Sequence, residues 1–144
     1  MNYKEMFLKG IMPDIEIYDV HGHIGTFSGT NRYNTDYKSV IDAMERNNVK
    51  ITAISSADAI EGDLIRGNDE VVNAVNNSSG KLMGYITVNP LCDKGLIDEI
   101  VRLEDKNMCG IKYHPSYSKT AVNDEKMQEC LEYINEKGFI LLVH

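Results

Sequence analysis

Ile15-Glu16-Ile17-Tyr18-Asp19-Val20-His21-Gly22-His23 is the stretch from which the rest of this chain is read. Its first six residues are rich in β-branched and aromatic side chains, the composition of a strand, and His21-Gly22-His23 follows directly. Residues i and i+2 of a strand point to one face about 6.6–7 Å apart, near enough for two imidazoles to converge on one ion. The chain has four histidines. The other two also close apolar runs, Gly110-Ile111-Lys112-Tyr113-His114 and Phe139-Ile140-Leu141-Leu142-Val143-His144, so every histidine falls at an expected strand end.

Helix signals fill the gaps between these runs. Asp36 is an expected N-cap ahead of Val40, Ile41 and Met44 at helical spacing, with a stop near Asn47-Asn48. Lys50 to Ser55 reads as a second strand, and Asn68 to Asn77 as a second helix with Val71, Val72 and Val75 on one face, closed by Gly80. Leu82 to Val88 is a third strand, stopped by Asn89-Pro90; Gly95 to Asp105 is a third helix carrying Leu96, Ile97, Ile100, Val101 and Leu103. A fourth strand ends at His114-Pro115, and a fourth helix over Asp124 to Glu136 buries Met127, Leu131 and Ile134 before Gly138 terminates it. Five strands and four helices thus alternate through one α/β domain spanning residues 1–144. Alternation of this kind implies a mainly parallel sheet, because parallel neighbours need a crossover. All four histidines then share the C-terminal rim of the strands, where α/β folds build their sites whether the sheet closes into a barrel or stays open.

A hydrophobic content of 42% and a charged content of 26% place the 144 residues among ordinary globular domains. A formal charge of −7 with no Lys/Arg block argues against nucleic acid or an anionic membrane surface and leaves small molecules as expected partners. Met1 to Gly10 mixes Lys4, Glu5 and Lys9 among its apolar positions, so it reads as neither a secretory leader nor a membrane span, and the cytoplasm is the expected compartment. Cys92, Cys109 and Cys130 are odd in number and widely spaced, which reads as reduced thiols, mostly small buried hydrophobes.

Two histidines at i and i+2, with two more on the same rim, favour metal binding over four separate core histidines. His144 is the natural third ligand beside His21 and His23. Lys112 and His114 are again an i, i+2 pair, so they share a face. Three readings of Lys112 stay open: a structural cation paired with Asp19 or another carboxylate, an anchor for a substrate carboxylate, or a carbamate bridging two metals. Asp19 shares the expected facing of His21 and would orient a ligand or pair with Lys112. Gly22 would leave room for an ion beside the backbone. Asp58 and Glu61 read as solvated loop charges, Asn89 as a turn residue or substrate donor, and Tyr85, Tyr113 and Tyr117 as packing or pocket-wall residues. Gly25 to Asn31 reads as a mobile loop over the site. Thr26-Phe27-Ser28-Gly29-Thr30 faintly resembles the phosphate loop of flavodoxin-like proteins, but a phosphate cradle opens directly into a helix, and here Asn31 to Thr35 intervene.

Three segments carry a family resemblance. Tyr18-Asp19-Val20-His21-Gly22-His23-Ile24-Gly25, Gly110-Ile111-Lys112-Tyr113-His114-Pro115 and Ile140-Leu141-Leu142-Val143-His144 resemble, in order, the first-, fourth- and fifth-strand motifs of the amidohydrolase superfamily, in its amidohydrolase-related (amidohydrolase 2 type) branch. The resemblance implies a TIM-barrel fold, with His21, His23 and His144 as ligands of a divalent metal, zinc first, and with His114 shaping the pocket or polarising the substrate; Lys112 joins His114 as a candidate catalytic residue. It implies hydrolysis of a C–N or C–O bond of a small carbonyl compound by a metal-activated water, or, in one branch, decarboxylation of an aromatic acid. A (β/α)8 barrel takes about 250 residues, and at least roughly 200. The expectation is therefore an incomplete barrel, β1 to β5, that is complete and active only in a longer chain or an assembly such as a homo-oligomer. The alternative is an open, flavodoxin- or receiver-like sheet that binds a small anion without catalysis.

Overall fold

The computed structural model describes residues 2–12, 14–29, 35–92 and 95–144. The apolar runs form strands β1 (Ile17–Ile24), β2 (Val49–Ser56), β3 (Leu82–Val88), β4 (Met108–Tyr113) and β5 (Ile140–Val143). Between them stand α2 (Tyr37–Arg46), α4 (Leu64–Asn76), α5 (Leu96–Leu103) and α7 (Glu125–Lys137), the four helices expected from periodicity. Among the described residues three short helices join these: α1 (Tyr3–Leu8), α3 (Ala57–Glu61) and α6 (Pro115–Ser118). Each is four to six residues long, too short for a hydrophobic period to show in sequence. Helix ends follow the expected chemistry: the Asp36 carboxylate accepts from the Ser39 N–H, and Gly138 ends α7 at a φ of 71°. No helix among the described residues is long and apolar enough to cross a membrane.

The sheet order is β1-β2-β3-β4-β5, with every neighbouring pair parallel. A flavodoxin-like sheet reverses direction at a switch point, giving the order 2-1-3-4-5. Strictly sequential order corrects the open-sheet alternative and is that of a barrel. Curvature confirms it. In a flat sheet β1 and β4 would lie about 14 Å apart at the usual spacing of neighbouring strands. Here Lys112 of β4 reaches His21 of β1 at 2.8 Å, and the Tyr85 hydroxyl of β3 donates to the Val20 carbonyl of β1 at 3.1 Å. The architecture is a curled half-barrel, an incomplete TIM-type barrel.

Alternation along each strand separates two environments. Ile86, Val88, Ile111 and Tyr113 point outward into one core with Ile100 of α5 and Met127 of α7, and Ile54 joins Met44 of α2 and Val71 of α4 in a second. Their strand neighbours Thr87 and Lys112 line the concave side; the pair is in register on β3 and β4 and both are buried. The concave face thus carries a buried hydroxyl and a buried lysine side by side.

β2 and β3 pair only from Thr52–Leu82 to Ile54–Gly84 and then diverge. The buried Asn68 amide of α4 fills the gap: its Oδ1 accepts from the Thr87 N–H at 2.9 Å, and its Nδ2 donates to the Thr87 carbonyl at 3.0 Å and to Glu99 at 2.9 Å. One side chain thus replaces a missing strand partner. Asn68→Ala leaves two buried backbone groups unmet, each costing about 1–3 kcal/mol. The expected loss is about 2–6 kcal/mol, read from the urea unfolding midpoint; an unchanged midpoint would contradict the bridging role of Asn68.

Candidate metal centre

β1 carries its two histidines inside the strand, since the ladder runs on to Ile24. A β-bulge takes in the first of them: Asp19 is opposite Thr52 and Gly22 opposite Ile54, so Val20 and His21 stand against the single residue Ala53. The bulge breaks the period-two facing expected between Asp19 and His21. Asp19 is exposed, and its carboxylate accepts from the His21 backbone N–H at 3.0 Å, so it neither orients the His21 ring nor pairs with Lys112. Gly22 also has another reason than room for an ion. A Cβ there would lie 2.6 Å from Thr52 Cγ2 on the neighbouring strand.

The rim brings the four imidazoles together. His21 and His23 have ring centroids 5.1 Å apart, His21 and His144 5.9 Å, and His114 stacks on His144 at 4.1 Å. Two aromatic rings complete a closed circuit. Phe27 stands edge-on to His23 at 5.1 Å and meets Tyr117 at 5.8 Å, and Tyr117 stands edge-on to His114 at 4.7 Å. Tyr117 is the pocket-wall residue anticipated. Phe27 was not visible as such, because a lone aromatic in a Gly/Ser/Thr segment carries no periodic signal. Tyr85 and Tyr113 are held elsewhere: Tyr85 on Val20, and Tyr113 by Ser118 and Thr120 on the outer face. A cleft of about 440 Å³ opens alongside, lined by Glu61, Asn89, Leu91 and Tyr117 among others.

Each site residue has a definable state. The His23 Nδ1 is 3.0 Å from the Ser55 hydroxyl of β2, which fixes the ring and leaves Nε2 toward the rim. Burial, then Lys112 and the other histidines, push His23 down to about 4; burial first, then Lys112 and His144, lower His21, with Asp19 opposing. His114 is lowered by burial and then by His144 and Lys112, and its buried Nδ1 has no hydrogen-bond partner. These shifts favour neutral imidazole, the form that ligates metals. Lys112 is fully buried and its pKa is lowered by burial; its Nζ contacts His21 Nε2, and among the described residues it forms no ion pair with a carboxylate. The structural-cation reading, which requires such a carboxylate, is thereby corrected.

These residues fit a divalent metal by donor chemistry: three imidazoles from β1 and the end of β5, one oriented by a hydroxyl. The described residues hold no group of three or more His, Cys, Asp or Glu side chains already gathered as a metal site. Lys112 contacts His21 at 2.8 Å, and His144 stacks against His114 at 4.1 Å.

Residues expected to be peripheral prove to be structural. Glu61 accepts from both the N–H and the hydroxyl of Ser28, tying the segment after β1 to α3, and Asp58 pairs with Arg66 at 3.3 Å. Neither is a solvated loop charge. Asn89 takes the turn role, accepting from the Leu91 N–H and donating to the Ile60 carbonyl. Gly25 bridges to Thr35, and α2 starts at Tyr37 after its own Asp36 cap, so the glycine loop does not open directly into a helix. Thr30 and Asn31 of the loop expected over the site lie outside the described residues. The three cysteines form no disulfide among the described residues, and Cys130 sits in the core.

No protein-family model matches the chain, and no curated protein matches it. Solved structures do. A probable 2-pyrone-4,6-dicarboxylic acid hydrolase from Acinetobacter baumannii, with citric acid bound, is 19% identical with a TM-score of 0.64; the match covers 90% of this chain and 49% of that one. An amidohydrolase II is 11% identical with a TM-score of 0.72, covering 89% and 50%. A 5-carboxyvanillate decarboxylase from Novosphingobium aromaticivorans, with manganese and 3-methoxy-4-hydroxy-5-nitrobenzoic acid bound, is 13% identical with a TM-score of 0.75, covering 91% and 51%. The shared feature at these identities is the fold, and the chain spans about half the length of each.

Gly22→Ala tests the local packing under the histidines. The added methyl meets Thr52 Cγ2 and is expected to destabilise by about 1–3 kcal/mol. Thr52→Ser, which removes that methyl, is expected to restore part of the loss in the double variant, measured by urea unfolding.

Proposed function

We propose that this chain is the histidine-bearing part of a metal-dependent hydrolase of the amidohydrolase type. His21, His23 and His144 hold a divalent metal, and His114 and Lys112 face the substrate. The observation that carries this reading is the convergence of four imidazoles and one buried lysine from β1, β4 and β5 on a single rim. Three nitrogen ligands favour zinc, while the manganese in one structural neighbour favours no more than a divalent ion.

A bound metal of this kind polarises a carbonyl oxygen and supplies hydroxide near neutral pH by lowering the pKa of its water. The protein's own groups do the rest. Ser55 holds His23 in one orientation, and the Phe27 and Tyr117 rings flank the rim. His114 borders the rim with its Nδ1 buried, and Lys112 contributes positive potential toward a carboxylate or a developing oxyanion. The ligand is a small molecule that fits the rim and its adjoining cleft. With five strands curled around half a barrel, this reading places turnover in a longer chain or an assembly.

Decarboxylation of an aromatic acid is the second reading. It is favoured by the same rim, which is cationic and aromatic, and by a neighbour of equal coverage that is a decarboxylase with a benzoic acid bound.

Metal analysis and zinc calorimetry of the purified chain test the first step. One divalent ion per chain is expected, with His21→Ala or His23→Ala weakening binding at least about a hundredfold. Absence of bound metal in the unaltered protein would overturn the reading.

A further inference from the structure

We propose that Lys112 and the divalent metal compete for one lone pair, that of His21 Nε2, and that metal loading moves the lysine onto the Thr87 hydroxyl. The inference rests on the metal reading above and concerns how that site fills.

The Lys112 Nζ is 2.8 Å from His21 Nε2. An ammonium has only donors, so in this contact the imidazole nitrogen is the acceptor and spends the lone pair that a metal needs. His21 cannot serve both. The lysine is fully buried and, among the described residues, has no carboxylate partner, so its charge is met chiefly by this nitrogen. A dication taking the same nitrogen also meets unshielded repulsion from the ammonium at short range. Both effects act in one direction: the lysine weakens metal binding while it stays on His21.

The concave face contains somewhere for it to go. Thr87 is the register partner of Lys112 on the adjoining strand, so their side chains rise from neighbouring points of the same face. Thr87 is 1% exposed, and its Oγ1 is one of two buried side-chain polar atoms among the described residues without a hydrogen-bond partner. Burying a hydroxyl without a partner is costly. A lysine stem is flexible enough to swing from His21 to this oxygen. The exchange releases the His21 lone pair and satisfies the orphaned hydroxyl in one movement. Thr87 is thus a positioning residue, acting on the metal through Lys112.

Calorimetric zinc titration of the purified 144-residue chain tests this. Lys112→Met, close in volume, is expected to bind zinc at least about tenfold more tightly than the unaltered protein, with Lys112→Gln as a second variant if the first fails to fold. Thr87→Val is expected to weaken binding severalfold in the presence of Lys112 and to have no effect in the Lys112→Met background. A structural effect of Thr87 would persist in both. The 15N shift of His21 Nε2 gives a readout without metal, and it is expected to move on Lys112→Met. Equal or weaker zinc binding by Lys112→Met, with His23→Ala still abolishing it, would overturn the competition while leaving the metal site standing; weakening would make Lys112 a support of the site, as a carbamate ligand would be. Failure of every variant to bind zinc would overturn both readings. An unchanged affinity in Thr87→Val would remove Thr87 from the exchange.

Discussion

Curling of five parallel strands in strict sequential order is the constraint on which everything at the rim depends. Strands separated by two or three neighbours cannot share a site across a flat sheet, yet here β1, β4 and the residue after β5 meet within hydrogen-bonding or ring-contact distance. The curl divides the residues of each strand between a convex side, where Ile86, Val88, Ile111 and Tyr113 pack on helices, and a concave side, where Thr87 and Lys112 stand. It also opens a gap between β2 and β3 that no strand fills. The Asn68 amide from α4 fills it, so a helix residue completes the sheet at the level where the site begins.

Electrostatics at the rim run opposite to the chain as a whole. The protein carries a formal charge of −7, while the concave face gathers four imidazoles and a lysine, with Asp19 turned back onto the backbone of His21. Burial and the neighbouring cationic groups lower His21, His23 and His114, with His23 pushed down to about 4. Imidazole nitrogens thus stand beside one buried lysine on the same rim. Two internal contacts link these groups, Lys112 with His21 and His114 with His144.

Much of this was legible in the residues. β-branched runs interrupted by capped helical periods gave the strand–helix alternation, and the placement of His21, His23, His114 and His144 at the ends of those runs anticipated one rim. What was hidden is equally specific. The bulge between Asp19 and Gly22 is a register event, and alternation in sequence assumes that no such event occurs. The reason for Gly22 lies on another strand, at Thr52. Asn68 looked like one polar residue at the start of a helix, because nothing local reveals that β2 and β3 diverge beside it. Phe27, Glu61 and the short helices α1, α3 and α6 were missed for the same reason, since their roles arise from tertiary contacts and not from any period.

The most direct test of the account is X-ray absorption at the zinc edge of the purified, zinc-loaded chain. The predicted result is a first shell containing three imidazole nitrogens at about 2.0–2.1 Å, reduced by one in the His144→Ala protein. A sulfur shell near 2.3 Å, or a spectrum without imidazole scattering, would contradict the claim that the rim histidines form the metal centre.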